Sequence, residues 1–215
     1  LLYSNFYGGA GVGVGDFNQD GLEDIFFAGN QVSDQLYFNK GDFRFENVTS
    51  SSGIIQDNGW STGVAVADIN ADGLLDIYVT RELFDHKPDL RVNLLYINIG
   101  DGHFKEMGAQ YGLADDSRTR HASFLDYDKD GLLDLFLLTQ PPNPGSYSSF
   151  FGTELLQKQY HLKLYRNTGN QKFVEVSASA GIDLTGFPNG VCVADLNNDG
   201  WQDIYVANDF YAPDF

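Results

Sequence analysis

The stretch Val64–Val79, VAVADINADGLLDIYV, decides the fold. Its centre, Asp68-Ile69-Asn70-Ala71-Asp72-Gly73-Leu74-Leu75-Asp76, puts oxygen-bearing side chains at the first, third, fifth and ninth positions and glycine at the sixth. Before it, Val64-Ala65-Val66-Ala67 alternates large and small with the period of two expected of a strand. After it, Ile77-Tyr78-Val79 is branched and aromatic, which also suits a strand. The stretch therefore reads as a hairpin closed by an acidic loop. The same D-x-[DN]-x-D-G-x-x-D pattern recurs over 16–24, 126–134 and 195–203, its first aspartates 52, 58 and 69 residues apart.

A second pattern follows the first three loops. Leu36-Tyr37-Phe38-Asn39-Lys40-Gly41 leads to Phe45, Leu95-Tyr96-Ile97-Asn98-Ile99-Gly100 to Phe104, and Leu164-Tyr165-Arg166-Asn167-Thr168-Gly169 to Phe173, at equal intervals. Gly53-Ile54, Gly112-Leu113 and Gly181-Ile182 come eight residues later in each copy. Self-similarity at this period marks repeat architecture. Each unit reads as four antiparallel strands, one blade of an all-β propeller. The expected boundaries, within one partial propeller domain over 1–215, are about 1–49, 59–108, 119–177 and 188–215. The last blade is incomplete, so about three and a half blades are present. The small set of each first strand is expected to face a crowded axis, and the large set to pack between sheets.

Composition agrees with short strands and tight turns. The chain has 215 residues, 24 glycines and a formal net charge of -17. By count 24 of its acidic residues are Asp and only 6 are Glu, and Asp suits turns and oxygen-rich metal loops rather than helices. So strong an acidic balance argues against nucleic-acid binding, which needs basic surface. No apolar run is long enough to span a bilayer as a helix. The single cysteine, Cys192, excludes an intrachain disulfide and a thiolate zinc site; aligned with Ala65 and Gly13, it reads as a small buried filler. Residue 1 is Leu rather than Met, so the lack of a visible signal peptide decides nothing.

The loops have the donor set of a hard cation. Ca²⁺ takes 6–8 oxygens, and a sharp turn at a sixth-position glycine lets positions 1, 3 and 5 converge. A backbone carbonyl at position 7 and Asp at position 9 complete the shell. The expected ligands are Asp16, Asn18, Asp20, Leu22 (carbonyl) and Asp24; Asp68, Asn70, Asp72, Leu74 (carbonyl) and Asp76; Asp126, Asp128, Asp130, Leu132 (carbonyl) and Asp134; and Asp195, Asn197, Asp199, Trp201 (carbonyl) and Asp203. This is not an EF-hand, because position 12 is Phe27, Val79, Leu137 or Val206 rather than Glu. The alternative reading is an Asx-rich turn with no metal, in which three or four carboxylates repel one another. Four Ca²⁺ would bring the formal charge from -17 to -9. Nearly saturated by protein oxygens, such ions are expected to be structural.

On these motifs, GVGVGDFNQDGLEDIFFAGNQ, VAVADINADGLLDIYV, SFLDYDKDGLLDLFLL and VCVADLNNDGWQDIYVANDFYAPD, the chain resembles the FG-GAP/VCBS repeat family, whose repeat also builds the integrin α-subunit propeller. More narrowly it resembles the ASPIC/UnbV group, bacterial relatives of cartilage acidic protein. The resemblance covers nearly the whole chain. It implies a seven-bladed propeller, calcium in the hairpin between a blade's first two strands, an extracytoplasmic location and ligands on the face opposite the metals. Four Asp loops fall short of seven blades, so the chain is expected to be part of a longer protein, with the remaining blades on the same polypeptide.

The residues also place variation opposite the Asp loops. The interval from the Asp loop to the next tyrosine grows from blade to blade, which puts the insertions between second and third strands, the longest over 139–162. Variable loops on a rigid scaffold commonly carry specificity. Blade three has His121 where the other blades have Gly11, Gly63 and Gly190, with Arg118 and Arg120 beside it. Trp60, Arg118, Arg120, His121 and Asn189 are the expected ligand face, able to take a protein or carbohydrate; the alternative is that the arginines pair with Asp115 and Asp116. The inserted loop, with Tyr147, Phe150 and Phe151, reads either as a partner-binding lid or as a loop packed on its own blade. No Gly-x-Ser-x-Gly elbow, phosphate loop or histidine-rich metal cluster is present. A binding or adhesion module is therefore the leading function. The alternative is the scaffold of a secreted hydrolase or lyase with its site near His121.

Overall fold

The computed structural model describes residues 9–83, 87–141, 160–182, 184–209 and 213–215. Its strands form antiparallel meanders in chain order. Blade one is β1 (Val12–Gly15), β2 (Asp24–Phe27), β3 (Gln35–Asn39) and β4 (Phe45–Asn47). Blade two is β5 (Trp60–Ala67), β6 (Asp76–Glu82), β7 (Leu94–Asn98) and β8 (Phe104–Glu106). Blade three is β9 (Thr119–Leu125), β10 (Asp134–Thr139), β11 (Lys163–Asn167) and β12 (Phe173–Glu175). In blade four β13 (Pro188–Ala194) pairs with β14 (Asp203–Asn208). Phe215 and Val206 exchange backbone hydrogen bonds at 3.1 and 2.9 Å, in the register where Phe27 meets Gln35 in blade one. The architecture is thus the blade-like all-β fold read from the repeats. A helical turn, α1 (Gly108–Tyr111), follows β8.

The core is a series of layers between sheets. Phe17, Phe26 and Leu36 of blade one pack with Val64, Ile77, Val79 and Tyr96 of blade two. Tyr78, Leu95 and Ile97 on the other side of blade two pack with Ala122, Leu135 and Leu137 of blade three. Leu125, Phe136 and Leu138 pack with Val206, with Val191 and Val193 against them. Alternate residues of a strand thus serve neighbouring blades, as the pleat requires.

This corrects the expectation that the small residues of the first strands face the axis. They face the next blade. A Cβ built on Gly13 would stand 2.7 Å from Val64 Cγ1 and 2.8 Å from Val66 Cγ2, so the glycine is the socket for the valines of blade two. Val12 and Val14, on the opposite side of β1, are 53% and 54% exposed. Cys192 is exposed rather than buried, a second correction. It lies on the small-residue side of β13, away from Val191 and Val193, which pack toward blade three.

The inner strands carry a repeated irregularity. Register shifts occur between Ser61 and Gly63, between Leu138 and Thr139 opposite β9, and between Pro188 and Gly190. Thr62, Arg120 and Asn189 are the extra residues, all six positions before the first Asp of a loop. Such bulges re-aim side chains at the rim of a sheet.

Candidate metal centres

The Asp loops join the first and second strands of each blade and share one hydrogen-bond scheme. In the second loop Asp68 Oδ1 accepts from the Asp72 amide at 3.0 Å, and its Oδ2 from Gly73 at 2.9 Å. Asn70 Oδ1 also accepts from the Asp72 amide, and Asp72 Oδ1 from Leu74. The first and fourth loops repeat all four bonds, and the third repeats three of them. The scheme needs a sharp reversal. Position 6 is glycine with φ near +85° to +88° in every loop, and position 4 (Gln19, Ala71, Lys129, Asn198) is also left-handed.

Asp at position 9 does more than face the loop. Asp76 is fully buried; its Oδ2 accepts from Ile69 at 2.9 Å and its Oδ1 from Asn98 of β7 at 2.8 Å. Asp24 and Asp134 make the same pair of bonds, to Phe17 and Asn39 and to Tyr127 and Asn167. The asparagine of the Leu-Tyr-x-Asn motif answers with its own amide. Asn98 Nδ2 donates to Leu75 O, and its Oδ1 accepts from Gly100. This motif therefore ties the third strand to the Asp loop, a role that its spacing alone did not disclose. A carboxylate has about four acceptor positions, so these bonds leave room for a further one.

The loops gather carboxylates whose ionised form is disfavoured by burial and by one another. Burial, offset in part by the amides of Asn98 and Ile69 and reinforced by Asp72 and Asp68, pushes Asp76 up to about 7. Burial likewise pushes Asp134 up to about 6 and raises Asp24. One side-chain oxygen each of Asp126, Asp128 and Asp130 lies within 4.8 Å of the other two. Asp128 Oδ1 is buried and has no hydrogen-bond partner among the described residues. Converging carboxylates, one oxygen of which has no donor, are a donor set that a hard divalent ion accepts.

The third loop differs in one respect. Elsewhere position 3 is Asn, whose Nδ2 donates to the Asp at position 5, at 3.1, 2.8 and 3.0 Å in the first, second and fourth loops. Here it is Asp128, and Arg166 of β11 supplies the donors instead, at 2.8 Å to Asp128 and 3.4 Å to Asp130. Asp128 and Asp130 raise the affinity of Arg166 for its proton, Asp128 foremost. Arg166 was not among the expected site residues. The signal was present: it replaces Phe38 and Ile97 of the other copies, in the one copy whose loop has Asp at position 3.

Neighbouring loops also touch. Gln19, at position 4 of the first loop, donates to the carbonyl of Gly73 in the second at 3.3 Å. Lys129, at position 4 of the third, holds its ammonium 3.8 Å from the centre of the Trp201 ring in the fourth. Asp126 N–H donates to Gln202.

At the other end of the sheets the expected ligand-face residues are only partly open. Arg120 reaches Glu82 of blade two at 3.4 Å. The pairing with Asp115 expected as the alternative is taken by Lys163 at 2.5 Å and by Tyr165 Oη. Arg118 is half-buried and its carbonyl accepts from Gln140. His121 packs where a Cβ on Gly63 would meet its Nδ1 at 2.9 Å, and burial holds it below its ordinary value. Trp60 is buried, because the large ring at the start of β5 gains more from packing than from the rim. Asn189 is exposed at the β13 bulge. His86 and residues 142–159, which hold most of the long insertion, lie outside the described residues.

The comparisons with known proteins agree with this geometry. The family model for the FG-GAP-like repeat matches residues 16–79, 85–137 and 153–206. The chain is 26% identical over 205 residues to cartilage acidic protein 1 of Homo sapiens, across 95% of the chain and 29% of that protein. It is 31% identical over 137 residues to the Xenopus tropicalis protein of the same name, across 63% of the chain and 20% of the relative. With Mus musculus the figures are 25% over 205 residues, 95% and 29%. The chain thus spans less than a third of the length of these relatives. The three matched stretches take in all four Asp loops and cover well over half of the residues, and on that ground the chain belongs to the FG-GAP-like repeat family.

Proposed function

We propose that the chain is a calcium-binding, extracytoplasmic propeller segment that holds a protein or glycan partner at the end of the blades opposite its Asp loops. The observation that carries the calcium part is the third loop: three carboxylates, one oxygen of each within 4.8 Å of the other two, with the buried Asp128 Oδ1 unpartnered among the described residues. Asp, Asn and carbonyl oxygens at positions 1, 3, 5, 7 and 9 would hold one ion per loop. A bound ion supplies positive charge that draws the carboxylates together. The protein's part is to present the oxygens on a turn pinned by its own amides. Asp76 and its equivalents then transmit that order to the third strand through Asn98, Asn39 and Asn167. The relatives are named for cartilage and for acidity, which supports the extracytoplasmic reading.

The meander supports the choice of the other end for a partner. The connections β2–β3, β6–β7 and β10–β11 all lie there and lengthen from blade one to blade three. Arg118 and Arg120 bring positive charge to a protein of net charge -17, which would steer an anionic group to that spot. The test is an array of acidic glycans and acidic peptides in saturating Ca²⁺, probed with the parent protein, with Arg118→Ala plus Arg120→Ala, and with Lys105→Gln on an outer strand. Loss of captured ligand in the double variant alone supports the assignment. Equal loss in the Lys105 variant, or capture indifferent to the arginines, overturns it.

A further inference from the structure

We infer that the first and second Asp loops take up their ions as a coupled pair, joined through Asn98, while the second and third loops fill independently. This rests on the reading above that each loop holds calcium, and it concerns how one loop's occupancy changes the affinity of the next. The link is a run of three hydrogen bonds between the ninth-position aspartates of two blades. Asp24 Oδ2 accepts from the Phe17 amide at 3.0 Å. The Phe17 carbonyl accepts from Asn98 Nδ2 at 2.8 Å. The Asn98 amide donates to Asp76 Oδ1 at 2.8 Å. Asp24, Phe17, Asn98 and Asp76 are all buried.

The peptide that carries the link belongs to the turn of the first loop. Phe17 stands at position 2, between the expected ligands Asp16 and Asn18. Its ring packs edge-on against Phe104 of blade two, with centroids 5.8 Å apart. Asn98 closes the second loop from behind, since its Nδ2 also donates to the Leu75 carbonyl beside Asp76. Asp24 cannot reorient without disturbing the Phe17 peptide, and that peptide cannot move without giving up its buried bond to Asn98. A buried polar group that loses its partner costs free energy. The loop that is ordered first thus spares its neighbour part of the cost of ordering, which is positive cooperativity. A second contact, from Gln19 to the Gly73 carbonyl at 3.3 Å, crosses the same junction at the surface.

The next junction lacks this link and serves as the protein's own control. Asn167 is the counterpart of Asn98, and Ile69 that of Phe17. The Asn167 amide donates to Asp134 and its Nδ2 to the Leu133 carbonyl, but among the described residues it makes no bond to Ile69. Ile69 and Asn167 instead both line a cleft of about 450 Å³ between loops two and three. Position 4 of the second loop is Ala71, too short to repeat the Gln19 contact. Blades two and three meet nearby through Gln110, Gln171 and Lys172, none of them an expected ligand. Repulsion between bound ions works against cooperativity at either junction and is screened in about 0.15 M salt. A difference between the junctions therefore reports the hydrogen-bonded path.

The experiment follows the amide resonances of Gly21, Gly73 and Gly131 as Ca²⁺ is titrated into the chelator-stripped chain in about 0.15 M salt. These glycines hold position 6 of loops one, two and three, so each affinity is read separately. Asp20→Ala removes a ligand from loop one; it is expected to weaken loop two by about fivefold or more and to leave loop three unchanged. By linkage Asp72→Ala should weaken loop one by the same factor, again without effect on loop three. Asn98→Ala, checked by its melting curve, is expected to make loop two indifferent to Asp20→Ala, whereas Asn167→Ala leaves loops one and two coupled as in the parent. The reciprocal pair of Asp variants decides the coupling even where Asn98→Ala does not fold. A loop two indifferent to Asp20→Ala, loop three weakened as much as loop two, or coupling that survives Asn98→Ala overturns the inference and leaves the calcium reading standing. No shift of any of the three glycines at millimolar Ca²⁺ overturns the calcium reading and this inference with it.

Discussion

Arg166 donates to Asp128 at 2.8 Å, and the two residues are a matched exchange for Ile97 and Asn70 of the preceding blade. At positions 1, 3, 5 and 9 the loop with Asp128 carries four carboxylates where the others carry three and an asparagine, and the guanidinium of Arg166 offsets the extra one. Arg166→Ile should therefore lower the melting temperature of calcium-depleted protein and enlarge the rise that Ca²⁺ produces. Asp128→Asn in the same chain should restore both. Identical melting curves for parent and Arg166→Ile, with and without Ca²⁺, would refute the exchange.

Asp130→Ala removes one of the convergent carboxylates and the acceptor of the Leu132 amide. Loss of the ion from that loop and loosening of the β9–β10 hairpin are expected, on the order of 1–3 kcal/mol. Hydrogen exchange at Leu132 and Asp134 in saturating Ca²⁺ measures it; protection equal to the parent's would argue against a structural ion in the third loop.

The Asp115–Lys163 pair gives the pH dependence. Burial alone would raise Asp115, but the ammonium of Lys163 at 2.5 Å, with hydrogen bonds from Lys163, Tyr165 and Ser117, outweighs it and holds the carboxyl below its ordinary value. A carboxylate with a depressed folded-state value binds fewer protons folded than unfolded. Its contribution is therefore complete above the unfolded value of about 3.9 and is lost as the pH falls through the lower folded value. Lys163→Met reverses the sign, because a buried carboxylate without its cation is penalised when ionised. The variant should be less stable by about 3 kcal/mol at pH 7, and the gap should narrow as the solution is made acidic. A gap constant from pH 7 to 3 would contradict this reading of the pair.

Gly13→Val tests the packing of blade on blade. The new side chain would collide with Val64 and Val66, and overpacking of this kind costs about 1–3 kcal/mol. Gly13→Val with Val64→Ala should recover part of the loss. If the single variant melts like the parent, the socket is not where the stability lies.

Much of this was legible in the sequence, and the reason is periodicity. The hairpin around Asp68–Asp76, the strands after it and the Leu-Tyr-x-Asn strand all recur at spacings that only one backbone plan satisfies. What escaped were relations between repeats. Alternation shows that Gly13 and Val12 point opposite ways, but not that the Gly13 side meets the valines of blade two; hence the misplaced axis. Trp60 was expected on the ligand face, and it is buried. The Arg81 guanidinium, bidentate to Asp57 at 2.9 Å and almost wholly buried, joins residues 24 positions apart that no shared spacing links. The expected ligand set came from local spacing, while Arg166, which pairs with the third loop, comes from a later strand.

The central claim, that each of the four Asp loops holds one calcium ion as part of the fold, is tested most directly by calorimetric titration of chelator-stripped protein with Ca²⁺, paired with melting curves. About four ions per chain and a melting temperature that climbs with Ca²⁺ concentration are the expected result, because an ion bound only by the folded state stabilises it by mass action. No heat of binding and an unmoved melting temperature at millimolar Ca²⁺ would contradict it.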